Sequence, residues 1–202
     1  MKAAQATAGK IAGSDMSAAQ SLRNHFLLAM PGLADDMFAH TVTYLCEHNE
    51  HGAMGIVINQ PLDLSLEEVL EHLKLSPTPE MARIPVMAGG PVNMDRGFIL
   101  HEPGPREWEA TLPVTEEIWL TTSRDILASM ADGEGPAKSL VALGYAGWSP
   151  GQLEAEIADN SWLTLPADPA VIFDTPAHLR MHAAAARLGV DMNLLSADAG
   201  HA

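Results

Sequence analysis

The chain has 202 residues, 47% of them hydrophobic and 18% charged, which fits one globular domain with an ordinary core. Its formal net charge is −15, and its 11 lysines and arginines form no basic run. Tight binding of nucleic acid needs several basic contacts to phosphate, so direct DNA binding is disfavoured, as is docking on an anionic membrane.

A single cysteine, Cys46, excludes an intrachain disulfide and fits a reducing compartment. No apolar run reaches the ~18 residues of a membrane span. Residues 1–20 are small and polar, too polar for a signal-peptide core, and are predicted to form a disordered tail before a domain of residues 21–202. We therefore expect a cytoplasmic protein that does not bind membranes.

The first half of the chain alternates short apolar runs with polar turns. In chain order it predicts strands at residues 25–30, 41–46 and 53–58, a helix at 65–73, and strands at 86–88 and 97–101. The polar residues 47–52 predict a hairpin loop. Ser65 and Glu68 form a capping box at the start of the helix, which carries one apolar stripe.

The second half continues in the same way. It predicts a strand at 118–121, a helix that residues 122–125 start and that ends at 132–133, and a helix at 152–158. It also predicts strands at 139–143, 162–165 and 171–173, and an Ala-rich helix from 175–176 to about 188. Ser149 and Gln152 form a second capping box, with Pro150 at the first helical position. Strands and helices do not alternate regularly. The sequence predicts an α+β fold: a single compact domain with a largely antiparallel mixed β-sheet flanked by short helices.

Two histidines and two carboxylates lie within residues 47–51. The zinc motif of this composition needs histidines at i and i+4 on a helix, whereas His48 and His51 are three apart in a predicted loop. A solvated turn is the better interpretation, and no metal site is predicted. A hydrolase using a metal at this loop stays open as an alternative.

Cys46 and His48 are two residues apart, so their side chains would share one face of an extended strand. A histidine beside a thiol can lower the thiol pKa and create a nucleophile. A small buried side chain beside a loop histidine is the commoner arrangement. The pair stays open as a second enzymatic alternative.

Residues 121–125 lie at a predicted junction of strand and helix. The free amides at a helix N-terminus favour an anion, and Arg124 would add donors. Capping by Thr122 or Ser123 explains the other residues of the segment.

The segment 144–148 places two glycines around Tyr145, directly after a predicted buried strand. This pattern indicates close backbone approach to a neighbour or a ligand. Tyr145 and Trp148 would then either line a cleft or anchor the following helix.

These motifs, in this order, resemble the YqgE/AlgH family, a bacterial family of uncharacterised proteins. The resemblance covers residues 22–202 and rests on residues 26–31, 44–49, 52–55, 59, 61, 89–92, 96–97, 101, 122–125, 143–148, 151–154, 160–163 and 200–202. The family usually has Arg at the position of Gln60 and Trp at the position of Met181. The resemblance implies a compact α+β fold with no established enzymatic activity or cofactor, and its name suggests a role in gene expression.

We expect a binding or regulatory protein that acts through a protein partner or a small anionic ligand, with no cofactor and no metal. The candidate ligand-binding residues are polar or aromatic and fall in predicted turns, strand ends or helix starts. They are His48, Asn49, Arg96, Ser123, Arg124, Tyr145, Trp148 and Gln152. The alternatives are a hydrolase-type enzyme using Cys46 and His48 or a loop metal, and a transcriptional regulator that contacts DNA directly, which the charge disfavours.

Overall fold

The computed structural model describes residues 21–31, 33 and 36–189, with Asp36 described by its backbone alone. The predicted tail, residues 1–20, and the motif at 200–202 lie outside the described residues. The strands are β1 His25–Ala29, β2 Val42–Asn49, β3 Gly52–Val57, β4 Pro61–Ser65, β5 Pro85–Ala88, β6 Val92–His101, β7 Thr111–Pro113, β8 Trp119–Thr121, β9 Ser139–Trp148 and β10 Trp162–Pro166. The helices are α1 Leu66–His72, α2 Arg124–Ala131, α3 Gln152–Ala158, α4 Pro169–Phe173 and α5 Arg180–Ala186.

These strands form one curled sheet in the order β10-β1-β2-β3-β9-β6-β8-β7, with β5 joining β4 to β9. Among the described strands every pair is antiparallel except β5 with β9. The predicted α+β fold with a largely antiparallel mixed sheet and short helices is confirmed. Within the described part of the chain, no helix has the length and apolar character needed to cross a bilayer.

Strand β9 changes partners along its length, and Gly144 lies where the change occurs. Ala142 and Leu143 pair with β5 and β6, whereas residues 146–148 pair with β3. Gly144 has a φ of 74°, and a Cβ atom there would lie 2.3 Å from the Gly90 carbonyl oxygen. Only glycine fits this close backbone contact. The predicted close approach is confirmed, but the strand predicted to end at residue 143 continues through residues 144–148.

Side chains of the sheet alternate between two faces and build three apolar clusters. The inner face packs Tyr44, Phe98 and Leu100 together with residues of α4 and α5. On the outer face, Ile99 packs beneath α1 and α2, and Leu45 packs beneath α3. The helices therefore cover separate parts of one sheet.

The two predicted capping boxes differ in outcome. At α1, the Ser65 hydroxyl accepts a hydrogen bond from the Glu68 amide at 3.3 Å, and the Glu68 carboxylate accepts one from the Ser65 amide at 2.8 Å. At α3, the Gln152 side chain accepts a hydrogen bond from the Ser149 amide at 3.0 Å, but Gly151 is the N-cap residue and no side chain caps it. The second capping box is therefore only half present.

The predicted strand at 171–173 is wrong, because these residues lie in α4. Asp168 accepts a hydrogen bond from the Ala170 amide at 2.8 Å, and Pro169 occupies the first helical position. Both are strong helix-start signals. A run of three apolar residues cannot distinguish a buried strand from a buried helix.

Arg180 fixes the start of α5 to the sheet. Its guanidinium is buried and donates to the Thr175 carbonyl at 3.0 Å and to the Ile58 carbonyl. Desolvation by burial lowers the pKa of Arg180 to about 10. These two carbonyl oxygens accept hydrogen bonds that water would accept from an exposed arginine.

Candidate functional site

A cleft of about 630 Å³ opens between α1, α2 and the outer face of the sheet. Its walls are apolar and comprise Leu64, Val69, Leu73, Ile99, Leu127, Val141 and Leu143. Its polar residues are Glu68, His72, Asp95, Arg96, Thr122, Ser123 and Arg124. The volume and the mostly apolar lining are those of small-molecule pockets in general.

Arg96 reaches the cleft from an irregular part of β6. The register of β6 with β9 shifts between Val92 and Gly97, so the residues between them leave the regular ladder. The Arg96 guanidinium donates to the Thr122 hydroxyl at 3.0 Å and lies 5.7 Å from the centre of the Phe98 ring. These contacts hold a cationic group at the mouth of the cleft.

Arg124 reaches the same cleft as the first residue of α2. Its guanidinium donates to the carbonyl of Leu73, the residue that ends α1. Arg124 therefore ties the two helices together across the cleft. A guanidinium carries five N–H donors, so one bond to the protein leaves capacity for a ligand.

The N-terminus of α2 is held by the segment before β7 and not by a simple cap. Ser123 is the N-cap residue, but its hydroxyl accepts from the Ala110 amide at 3.0 Å and donates to the Asp125 carboxylate at 2.5 Å. The predicted side-chain cap by Thr122 or Ser123 is therefore wrong. Burial acts to raise the pKa of Asp125, but hydrogen bonds from Ser123 and from backbone amides, including that of Glu109, lower it overall.

A second, more open cavity of about 580 Å³ is lined by residues of β3, β6 and β9. Tyr145 and Trp148 line it together with Arg96, which borders both cavities. The Tyr145 ring packs against Phe98, with ring centres 5.3 Å apart. Trp148 also anchors α3, because its indole N–H donates to the Glu156 carboxylate at 2.9 Å.

His48 lines neither cavity and is buried. Its Nδ1 accepts a hydrogen bond from the Leu22 amide at 2.8 Å, and its Nε2 lies 3.0 Å from a carboxylate oxygen of Glu154. Because Nδ1 accepts, Nε2 carries the proton and donates to Glu154. The Ser21 hydroxyl donates to the His48 carbonyl at 2.8 Å. His48 therefore joins the start of the described chain to β2 and α3.

Asn49 and Gln152 also lie outside the residues that line the two cavities. Asn49 accepts from the His51 amide at 2.8 Å and shapes the tip of the hairpin. Gln152 donates to Glu156 at 2.9 Å. The eight candidates are thus divided: Arg96, Ser123 and Arg124 line the cleft, Tyr145 and Trp148 line the second cavity, and His48, Asn49 and Gln152 line neither and make contacts that hold the fold. Their role in ligand binding stays a prediction.

The expected shared face of Cys46 and His48 is wrong because of a β-bulge. Leu45 pairs with Gly55 and Glu47 pairs with Met54, so Cys46 is an extra residue in β2. The extra residue shifts the alternation of side chains. Cys46 lies in the inner cluster, whereas His48 lies opposite Ala53, which belongs to the outer cluster beneath α3. Burial also raises the pKa of the Cys46 thiol, which disfavours the reactive thiolate.

The predicted hairpin loop at 47–52 is also shorter than expected. β2 runs to Asn49 and β3 begins at Gly52, so only Glu50 and His51 form the turn. Among the described residues, no group of three or more histidine, cysteine, aspartate or glutamate side chains is arranged to hold a metal ion.

Sequence reasoning missed most of the cleft lining. Gly97, Leu127 and Val141 were taken as ordinary strand or helix positions, because an apolar wall has the same pattern as a core. The two departures from the family pattern lie elsewhere: the Gln60 carbonyl accepts from the Ala88 amide at 2.7 Å, and Met181 packs on the inner cluster.

The fold and the cleft define a single-sheet α+β protein with a ligand-sized groove under two helices. The chain belongs to the AlgH-like family, whose model matches residues 26–193. It is 60% identical over 187 residues to a UPF0301 protein of Thioalkalivibrio sulfidiphilus, covering 93% of this chain and 100% of that protein. It is 57% identical over 183 residues to the UPF0301 protein AlgH of Pseudomonas aeruginosa, covering 90% and 96%.

The solved structure of one relative agrees with this assignment. The solution structure of the AlgH protein from Pseudomonas aeruginosa matches with a TM-score of 0.76 and 56% identity, covering 93% of this chain and 99% of that chain. A crystal structure of a protein from Corynebacterium diphtheriae has a TM-score of 0.65 at 20% identity, covering 86% and 90%, and shares the fold. The resemblance expected from the sequence motifs is confirmed.

Proposed function

We propose that the chain is a binding protein whose ligand is a small anion with an apolar body, seated in the cleft between α1 and α2. The observation that carries the proposal is the pairing of apolar walls with two arginines at the mouth, in a chain of net charge −15. Two guanidinium groups on one cleft offer charge-assisted hydrogen bonds that an anion can accept.

Two acidic residues of the lining, Glu68 and Asp95, balance the formal charge of the two arginines, so the preference for an anion rests on which of these groups keep hydrogen-bonding capacity for a ligand. Glu68 is committed to the capping box, where its carboxylate accepts from both the amide and the hydroxyl of Ser65. These hydrogen bonds lower the pKa of Glu68. Asp95 is the remaining carboxylate of the lining, against Arg96, Arg124 and the histidine His72.

The apolar walls would hold the rest of the ligand. Each methylene group removed from water contributes about 0.8 kcal/mol, so a short alkyl or aryl body supplies most of the affinity. The arginines would set the orientation and the sign of the charge. A regulatory role would then follow from the liganded state, or from a protein partner that recognises it, and not from direct contact with DNA. The cytoplasmic location stays a prediction from the single cysteine.

The test is a set of matched eight-carbon probes titrated into the ¹⁵N-labelled protein. We expect octyl sulfate to bind and to shift the amide signals of α2 and of residues 96–97, with octanol weaker, octyltrimethylammonium weaker still, and inorganic sulfate the weakest. Equal binding of the anionic and cationic probes, or shifts confined to other surfaces, would refute the proposal.

Variants locate the charge preference. Arg96→Gln and Arg124→Gln are each expected to weaken octyl sulfate binding about fivefold to tenfold, because each removes one exposed charge-assisted contact. Arg106→Gln is the matched control, since Arg106 is an exposed arginine paired with Glu134 outside the cleft. Its affinity for octyl sulfate should equal that of the unsubstituted chain.

A further inference from the structure

His101 forms the start of a buried chain of hydrogen bonds at the end of β6. The side chain is fully buried. Its Nδ1 lies 2.8 Å from the Glu102 carbonyl, and its Nε2 lies 2.8 Å from the Thr121 hydroxyl. The chain continues from Thr121 to the Thr111 hydroxyl at 2.7 Å, and from Thr111 to the Trp108 carbonyl at 3.1 Å.

The number of protons needed by these contacts identifies the charge state that satisfies them. A carbonyl can only accept, so His101 must donate from Nδ1 and Thr111 must donate to Trp108. The Thr111 proton is then used, and Thr121 must donate to Thr111. The Thr121 proton is used in turn, so Nε2 must donate to Thr121. Four contacts require four protons, and only a doubly protonated imidazole with two hydroxyls carries that number.

A neutral imidazole leaves the same chain one proton short. With Nδ1 still donating, Thr121 turns to donate to Nε2. Thr111 has one proton, which it can then donate either to the Thr121 hydroxyl or to the Trp108 carbonyl, but not to both. One contact of the chain is lost or weakened, and a buried polar atom without a partner is costly.

We propose that His101 is a proton-dependent switch, in which protonation of the imidazole reverses the hydroxyl groups of Thr121 and Thr111 and completes the hydrogen bonds to the segment before β7. The proton comes from solvent, and no covalent bond changes. The switch has two arrangements of the same atoms, distinguished by which way two hydroxyl groups point.

The surroundings of His101 favour a cation in one respect and oppose it in another. The Trp108 ring lies with its centre 4.9 Å from that of the imidazole and nearly perpendicular to it, at 86°. Both ring nitrogens bond to neutral oxygens. Burial lowers the pKa of His101, while the Glu102 carbonyl acts in the opposite direction.

The elements packed around His101 carry charged groups of both signs. Glu102 follows His101, and Lys138 precedes Ser139, the partner of His101 on β9. Lys138 lies 3.5 Å from Glu102 and 2.8 Å from Asp174. The remaining charged groups on the packed elements are Asp95 and Arg96 on β6 itself, Arg106, Glu107 and Glu109 before β7, Glu116 and Glu117 before β8, and Arg124 and Asp125 on α2.

The switch is joined to the cleft by backbone and side-chain contacts. Thr121 is followed directly by residues 122–124, which line the cleft. The segment that accepts the last hydrogen bond also holds α2, through the Trp108 indole N–H to Ser129 at 3.2 Å and the Ala110 amide to Ser123 at 3.0 Å. We therefore expect the cleft to respond to the protonation state of His101, a consequence that rests on the proposed function.

The decisive experiment is an NMR titration of the imidazole signals from pH 8 to pH 4, with Thr111→Val and Thr121→Val as variants. Thr121→Val removes the acceptor of Nε2–H and should lower the His101 midpoint by about one pH unit or more. Thr111→Val should lower it as well, although Thr111 does not touch the imidazole, because Thr121 then has no acceptor for its proton. Thr43→Val, at a buried threonine far from His101 in the sheet order, is the matched control and should leave the midpoint unchanged.

Two results would overturn the switch. One is a His101 midpoint in Thr111→Val equal to that of the unsubstituted chain. The other is an imidazole in the unsubstituted chain that stays neutral until the protein unfolds. Binding of octyl sulfate, whose charge does not change in this range, tests the link to the cleft separately. An affinity that does not follow the His101 midpoint removes the link and leaves the switch standing.

Discussion

Gly97→Leu should close the cleft without disturbing the sheet. Gly97 lines the cleft, and its φ lies outside the left-handed region, so a side chain causes no backbone strain. A Cβ atom there would meet only the Cδ1 of Ile99, at 3.8 Å, which is an ordinary van der Waals contact. The leucine side chain therefore enters the space proposed for the ligand.

The expected loss of binding free energy follows from the number of ligand methylene groups that the new side chain displaces. If its four carbons displace four methylene groups of octyl sulfate, about 3 kcal/mol of binding free energy is lost, a roughly hundredfold weakening, and half that overlap gives roughly tenfold. The unfolding free energy should rise by about 1 kcal/mol, because the leucine is partly buried and a glycine is removed from a strand. Calorimetric titration and urea unfolding measure the two quantities.

Gly104→Leu is the matched control, since a Cβ atom at Gly104 has nothing within 4 Å and the residue does not line the cleft. It should leave octyl sulfate binding unchanged. Unchanged binding in Gly97→Leu, with the fold intact by NMR, would show that the probe does not enter the cleft. A loss of stability of several kcal/mol would instead show that the space beside Ile99 is smaller than described.

Three further predictions concern stability. Thr43→Val should raise the unfolding free energy, measured in urea, by about 1 kcal/mol, because the buried Thr43 hydroxyl has no hydrogen-bond partner among the described residues. A lower unfolding free energy in this variant would indicate that the hydroxyl has a hydrogen-bond partner. Arg180→Met should lower it by about 2 kcal/mol, because the Ile58 and Thr175 carbonyls lose their donor; equal stability would mean that the cost of burying the charge offsets both bonds. Because burial lowers the pKa of His101, its neutral form contributes stability above about pH 6.5 that is lost as the pH falls through the folded-state pKa. Comparing Tm between pH 7.5 and 5 for the unsubstituted chain and His101→Gln isolates this contribution, and identical slopes would contradict it.

Sequence patterns predicted a helix or strand correctly where the interactions that stabilise it lie within one short segment of the chain. The helix at 152–158 was predicted with the bounds that the structure has, because the part of its start signal that is present, the hydrogen bond from the Ser149 amide to Gln152, lies within one short segment. β4 was not predicted, since Pro61 and Asp63 are exposed and untypical of a strand. It exists because it pairs with β5, a contact between segments distant in the chain.

The candidate site shows the same division. Arg96, Ser123 and Arg124 were selected because polar side chains at turns and helix starts often bind ligands. Their common cleft depends on Arg96 leaving the ladder of β6 and on α1 packing beside α2, which no pattern within one segment records. His48 was selected for the same reason, but the bulge at Cys46 turned it to the opposite face.

Because of the bulge at Cys46, strand β2 can lose one residue at that position and keep its pairing with β3. Removing Cys46 would let Glu47 follow Leu45 directly, and every recorded pair between β2 and β3 would keep its partner and its side of the sheet. Removal of a residue elsewhere in the middle of β2 would reverse the sides of all residues beyond it. The strand thus contains one position at which its length can change by a residue without changing its pairing, at the cost of one buried side chain.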